Sequence, residues 1–384
     1  MDKVVRTMMD FIASDVFGKT LNASQYSLSA EEQNRLYLLS KSHDLAGIVG
    51  DVLIKNNLTA NDEIKNKFQS EIMLAVYRYE NINYELNMLR KILNEAKIPF
   101  VPLKGSVIRE YYPEPWMRTS CDIDILVHED KLQEAMSKII ERLGYRYEKN
   151  GYHDVSLISG TGVHLELHHS IAENCKNIDK LLSECFSHTF VYDGYEYRFD
   201  NEFMIFHQIA HARYHFVSGG CGVRPFADIL LLCKKLPCNR EILDGMLAKT
   251  DTEKFLDGFI KLAEVWFENA VHDQLTLRME KFVLSGGVYG NLQNYVAVSG
   301  QKKSGATGHL LRRIWLPYSS LCTAYPSLKG KRILQPFYEI RRWFKMLEPA
   351  ARKRAGAEFS ELKNLDEEKK REIGAMLSEL GLQN

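Results

Sequence analysis

Long apolar runs are missing from this 384-residue chain. None approaches the ~18 residues that a membrane-spanning helix needs, so no membrane span is expected. An excess of charge of either sign is missing too. Lys+Arg and Asp+Glu both total 50, which removes the whole-chain argument for nucleic-acid binding and leaves only a local basic patch open. The seven cysteines are an odd number and include no CxxC pair. The closest two, Cys233 and Cys238, lack metal-site spacing, so a reduced protein is expected rather than a disulfide scaffold. The opening stretch MDKVVRTMMDFIASDVFG mixes charges among its apolar residues and does not read as a signal peptide. The expected location is cytoplasmic. There is no HExxH, no clear internal repeat and no low-complexity tract.

What remains is an ordinary globular composition, 45% hydrophobic and 26% charged, long enough for two or three domains. Residues 1–95 read as a helical region. Ser29 and Glu32 form a capping box ahead of an apolar pattern through Leu36, Leu39, Leu45, Ile48 and Val52, and a longer amphipathic pattern ends near Lys97. Residues 96–200 change character and read as a compact α/β core. IPFVPL is strand-like, GSVIREYY a short helix, and CDIDILV alternates with period two. KLQEAMSKIIERLGY is a helix ending at Gly144. YHDVSLIS and VHLELHH are strands joined by a GTG turn, and TFVYDGYEYRF is a hairpin across Asp193 and Gly194. From residue 201 to 384 helices return. The stretch SGGVYGNLQNYVAVSGQKKSGATG, residues 285–308, is Gly- and Ser-rich and predicts a loop. The fold class is therefore α+β: a small mixed-sheet core flanked by N- and C-terminal helical regions.

The chemistry concentrates in PFVPLKGSVIREYYPEPWMRTSCDIDILV, residues 99–127. Asp122 and Asp124 are i and i+2 on a strand, so they share one face with α-carbons roughly 6.6 Å apart, while Ile123, Ile125 and Val127 point into a core. Charges among apolar residues are costly unless compensated. Two such carboxylates repel unless a cation lies between them, and hard cations such as Mg²⁺ take oxygen ligands of this kind. A third carboxylate, Glu166, shares a strand face with His164 and His168. If that strand pairs beside residues 121–127, three carboxylates meet in a cluster able to hold two divalent ions for displacement at phosphorus. The alternative is a solvent-facing strand edge. Gly105-Ser106, following a strand and opening a short helix, favours phosphate through backbone N–H groups.

This arrangement resembles the DNA polymerase β-like nucleotidyltransferase superfamily, whose signature is a Gly-(Gly/Ser) turn followed by Asp-apolar-(Asp/Glu). The spacer is longer here, and Lys104 stands before Gly105 where many members carry an apolar residue. Both departures fit an uncharacterised bacterial nucleotidyltransferase family with Leu-Lys-Gly, Tyr-Pro, Arg and Asp-Ile-Asp-Leu-Leu-Val, and with a later Glu-Leu-His matched by Glu166-Leu167-His168. The resemblance covers roughly residues 99–170. It implies transfer of an NMP group from an NTP to a hydroxyl acceptor with release of pyrophosphate. It also implies Mg²⁺ or Mn²⁺ on Asp122, Asp124 and Glu166, phosphate contacts from Gly105 and Ser106, and phosphate neutralisation by Lys104 and Arg118. The acceptor stays open among protein, RNA, sugar and small molecule.

Two further features have competing readings. His207, His211 and His215 recur every four residues on one helical face. With His168 and His169 they suggest either a metal-dependent hydrolase or, more simply, a core helix lining the cleft. Arg224 and Asp228 are spaced i, i+4, the default being a helix ion pair and the minority view a contact from Arg224 to triphosphate. The cleft candidates are thus His168, His211 and Arg224. The tail RILQPFYEIRRWFKMLEPAARKR interleaves bases and aromatics, as an amphipathic helix with snorkelling bases does and as a nucleic-acid or membrane-surface segment also does. A non-catalytic nucleotide-binding module on the same fold is the other alternative, because fold does not fix chemistry.

Overall fold

The computed structural model describes residues 2–151, 153–301, 315–316, 318, 321–322, 325–328, 330–346 and 367–382. The chain divides into two compact units, one of residues 1–214 and 222–276, the other of residues 215–221 and 277–384.

The first unit begins with four helices, α1 (Lys3–Phe17), α2 (Ala30–Ser42), α3 (Ala46–Lys55) and α4 (Asp62–Glu95). The capping box at α2 is closed in both directions. Ser29 Oγ accepts from the Glu32 N–H at 3.2 Å, and the Glu32 carboxylate accepts from the Ser29 N–H at 2.8 Å. The apolar pattern of residues 36–52 is divided between two helices. Asp44 takes φ 58°, a left-handed conformation that Asp tolerates better than most residues, and turns the chain. That turn points the Asp44 carboxylate toward the site described below.

Seven strands follow, with the short helix α5 (Gly105–Ile108) after the first: β1 (Phe100–Pro102), β2 (Asp122–Val127), β3 (Arg146–Asn150), β4 (Asp154–Ile158), β5 (His164–His168), β6 (Thr189–Asp193) and β7 (Glu196–Phe199). They form one sheet in the order β3-β4-β5-β2-β1-β7-β6. The central strand β2 pairs antiparallel with β1 and parallel with β5, so the sheet is mixed and the class is α+β. Strand β3 escapes a period-two reading because all five of its residues are exposed. The helix α7 (Lys176–Leu182) is seven residues long, too short to declare a period.

One face of the sheet is apolar. Ile123, Ile125 and Val127 of β2 and Leu165 and Leu167 of β5 pack with Phe100, Val155 and Leu157 against Ile82, Leu86, Leu89 and Leu93 of α4. Ala135 and Ile139 of α6 (Leu132–Leu143) complete that layer. Alternation therefore sends Asp122, Asp124, Glu166 and His168 to the opposite face. The unit continues with α8 (Asn201–Val217), whose residues up to Tyr214 belong to it, then α9 (Arg224–Lys235), α10 (Arg240–Thr250) and α11 (Glu253–Phe267).

The second unit is helical in its described part. The expected loop at residues 285–308 instead holds a helix over Leu292–Gly300, capped by Asn291, whose side chain accepts from the Asn294 N–H at 2.7 Å. Its Gly and Ser residues lie at the ends of the helix, so the composition obscured a nine-residue run. Residues 302–308 of that stretch lie outside the described residues. The basic-aromatic tail forms a helix over Gln335–Met346, and residues 347–354 lie outside the described residues. Among the described residues, no helix is long and apolar enough to cross a membrane.

Leu165 is fully buried and backs onto Glu166 across the sheet. Leu165→Ala is expected to cost about 2–5 kcal/mol of unfolding free energy. Chemical denaturation checks this, and a loss under ~1 kcal/mol would mean that the apolar face is not packed as described.

Candidate active site

The polar face of β2 and β5 sets the geometry. Their parallel register places Asp124 opposite Glu166, Asp122 opposite His164 and Leu126 opposite His168. Glu166 and His168 therefore arrive beside Asp124, as the alternation in HLELHH requires. Asp124 is 4% exposed, and one of its oxygens, Oδ1, is held from two sides. Lys104 Nζ donates to it at 2.9 Å, and His168 Nε2 meets it at 2.9 Å. His168 Nε2 also lies 3.4 Å from Glu166 Oε2. Ligand atoms of Asp124, Glu166 and His168 all fall within 4.8 Å of one another, and among the described residues this is the group able to hold a metal ion. Asp122 stands on the same face outside that group. His164, the other polar residue of β5, turns to Glu148 at 3.2 Å.

These contacts set the protonation states. Burial pushes the Asp124 carboxyl up, but Lys104 and His168 outweigh it and hold the group well below the usual carboxylate range. Asp122 lacks such partners and is raised, by burial first and then by Asp124. Burial pulls Lys104 down, yet Asp124, Asp122 and Glu166 raise it above an ordinary lysine. Burial also opposes the charge on His168, but its bonds to Asp124 and Glu166 bring it up to about 9.

Lys104 reaches Asp124 from an unusual backbone, with φ 47° and ψ −122°. A non-glycine residue there carries strain of order 1–3 kcal/mol. The turn it opens is internally bonded. Leu103 N–H donates to the Asp124 carbonyl at 2.9 Å and Ser106 N–H to the Leu103 carbonyl at 3.0 Å. The Ser106 amide is therefore already engaged, whereas Ser106 Oγ is buried with no hydrogen-bond partner. Gly105 fits a tight space. A Cβ there would come within 3.2 Å of Ser120 Cβ and 3.3 Å of an Arg118 guanidinium nitrogen.

Arg118 is buried under this turn, and its Nε donates to both oxygens of Asp228 at 3.0 Å. Tyr112 Oη donates to the same carboxylate at 2.7 Å. Asp228 is thus paired with Arg118 rather than with Arg224, which corrects the helix ion pair expected from the i, i+4 spacing. Arg224 instead donates to Asp44 Oδ2 at 3.1 Å and to the Thr119 carbonyl at 2.9 Å. Both arginines hold the loop that leads into β2. On α8, His211 Nδ1 meets Glu173 Oε1 at 2.8 Å. His207 is buried, held neutral and lowered to about 3 by desolvation and then by His211. Neither joins the metal-capable group.

Sequence reasoning missed four contributors. Arg109 is buried, its Nε donating to the Gly105 carbonyl and a terminal nitrogen to Ser120 Oγ, both at 2.6 Å. Asp228 and Asp44 hold the loop from elements far away in the chain, and Tyr112, at the start of the loop, donates to the same Asp228 carboxylate. No local pattern announces such partners; the only signal was a polar residue inside an otherwise apolar stretch, as at Asp228 in RPFADILLL.

Two outcomes test this geometry. Asp228→Ala leaves Arg118 buried without a counter-charge, so about 3–5 kcal/mol of stability should be lost, whereas Arg224→Ala, on the less deeply buried pair with Asp44, should cost less. The second is a pH effect. His168 is raised from 6.5 to about 9, so in metal-free protein its ion pair with Asp124 contributes fully below about 6.5 and is lost as pH rises through about 9. The melting temperature should fall across that interval, and His168→Gln should flatten the fall; an unchanged slope would show that His168 is not charged in the folded state.

Comparison with known proteins adds one finding. No curated protein and no solved structure matches the chain. The family model described as uncharacterised nucleotidyltransferase matches residues 29–268, a span that takes in α2 to α4, all seven strands and the helices through α11. It includes every residue of the site just described, from Asp44 to Asp228. With well over half of its length matched, the chain belongs to the uncharacterised nucleotidyltransferase family.

Proposed function

We propose that the chain moves an NMP group from an NTP to a hydroxyl acceptor, with pyrophosphate as the leaving product, at the face formed by Asp122, Asp124, Glu166 and His168. The observation that carries this reading is the register of β2 and β5, which brings Asp124 and Glu166 side by side on one polar face. The donor set, two carboxylates and an imidazole within 4.8 Å of one another, suits Mg²⁺ or Mn²⁺ and, through its nitrogen, favours the latter. An ion bound there supplies charge compensation for phosphate oxygens.

The remaining work falls to the chain itself. The acceptor oxygen attacks the α-phosphorus, the bond from that phosphorus to the bridging oxygen breaks, and pyrophosphate departs with the bonding electron pair. In this reading Glu166, partly exposed beside the buried Asp124, takes the acceptor proton. Ser106 Oγ, buried without a partner, is a donor held in reserve for a phosphate oxygen at the Gly105 turn. Arg118 and Arg109 give that turn a positive environment while bonded to Asp228, Thr119, Gly105 and Ser120. The acceptor class (protein, RNA, sugar or small molecule) is a question for experiment.

Incubation with each α-labelled NTP and a cell extract, followed by identification of the labelled product, tests the reading. Label should move with wild-type protein. Glu166→Gln and Asp124→Asn should each slow transfer by about 10²–10⁴-fold. Transfer at the wild-type rate in both variants would sink the proposal.

A further inference from the structure

Charge is balanced over the whole chain and unbalanced in one place. Residues 302–346 carry ten lysines and arginines and a single carboxylate, Glu339. The fold hides even that one. Glu339 is fully buried, accepting from the Leu316 N–H at 2.6 Å and from Arg342 Nε at 2.7 Å. It belongs to the helix over Gln335–Met346, whose Tyr338 packs against the small core of Leu321, Tyr325 and Leu328. Phe337, Ile340 and Phe344 follow one another at spacings of three and four, so they share one helical stripe. They are 71%, 47% and 69% exposed. Ile333, 94% exposed, and Leu334 prolong the exposed apolar surface into the turn before the helix. The helix thus turns its carboxylate inward and its phenylalanines outward, the reverse of a helix that covers a core. Lys331 and Arg332 before it, and Arg341 beside the stripe, are exposed as well.

We propose that this helix lies on an anionic lipid surface, with Phe337, Ile340 and Phe344 entering the boundary between headgroups and acyl chains and Lys331, Arg332 and Arg341 facing lipid phosphates. Three arguments select that occupant. The bases complement an anionic surface, and a second copy of the chain would bring like charge against them. A nucleic acid would use the bases and the two phenyl rings, but Ile333, Leu334 and Ile340 offer no π-face for a base to stack on. Acyl chains accept rings and branched aliphatics alike. The arginines also do not cover the stripe. The Arg341 guanidinium lies 5.6 Å from the Tyr325 ring and that of Arg332 lies 5.7 Å from the Tyr318 ring, so both lean on aromatic rings outside this helix. Twelve residues are too few to span a bilayer and enough to lie in its surface. The helix belongs to the second unit, whereas the carboxylate face belongs to the first, so the proposal does not depend on the reaction.

Vesicle co-flotation of the full-length protein tests this. Wild type should float with vesicles of phosphatidylcholine and phosphatidylglycerol, less as salt rises, and should stay behind with phosphatidylcholine alone. Phe337→Ser combined with Phe344→Ser should weaken vesicle binding at least about tenfold. Lys331→Gln combined with Arg332→Gln should weaken it by about fivefold for each charge removed. All four positions are exposed, so the melting temperature should hold in both variants. Glu166→Gln should float as wild type does, which separates lipid binding from transfer. Wild-type flotation of both double variants, or equal flotation with phosphatidylcholine alone, would overturn the proposal. So would capture of a single-stranded RNA oligonucleotide by protein that ignores both kinds of vesicle.

Discussion

The buried charge of Asp124 is the constraint around which this molecule is arranged. A carboxylate at 4% exposure, in the middle strand of a seven-stranded sheet, is untenable without compensation. Lys104 and His168 supply it from two directions, one out of the turn after β1 and the other out of β5. Each source makes a demand on the fold. Lys104 needs a backbone conformation that lysine seldom takes, and the turn that creates it is tied back to β2 through the bond from Leu103 N–H to the Asp124 carbonyl. His168 needs the parallel pairing of β2 with β5 in one register, because a one-residue slip would send it into the apolar face with Leu165 and Leu167. Charge and sheet topology are thus one problem with one solution.

A second layer of buried charge stands behind the first. Arg118 and Arg109 pack beneath the Gly105 turn, Arg118 donating to Asp228, which also accepts from Tyr112, and Arg109 donating to Ser120. Glycine at position 105 follows from this crowding, since even a methyl group would press on Arg118 and Ser120. The same residue type that the sequence motif associates with phosphate therefore has an independent reason to be there. Family membership accounts for the class of chemistry, while Lys104 before that glycine and His168 beside the third carboxylate set the charge distribution around Asp124.

Much of this was legible in the sequence. Alternation in CDIDILV and HLELHH separated apolar from acidic faces correctly, because period two is a direct consequence of strand geometry. The capping box at Ser29 and Glu32, and the helix end at Gly144, were readable for the same reason: each is a local event with a local cause. What could not be read was long-range. Asp228 seemed bound to Arg224 four residues away, yet it bonds Arg118, 110 residues distant. Strand β3 carried no alternation because both its faces are exposed. The helix over Leu292–Gly300 was hidden by the glycines and serines at its ends. The geometry of the histidines was also beyond the sequence: His168 lies against the carboxylates and His207 in the core, although both stood in equally suggestive patterns.

The loop that delivers β2 is secured by residues made at very different times during synthesis. Thr119 is bonded by Asp44 from the connection between α2 and α3, and by Arg224 from the start of α9. Arg118 finds its counter-charge only at Asp228. While the ribosome is still making α8, the strand bearing Asp122 and Asp124 exists, but the loop feeding it has one anchor of two and a guanidinium without a partner. The loop therefore has its full set of contacts only once α9 has been made.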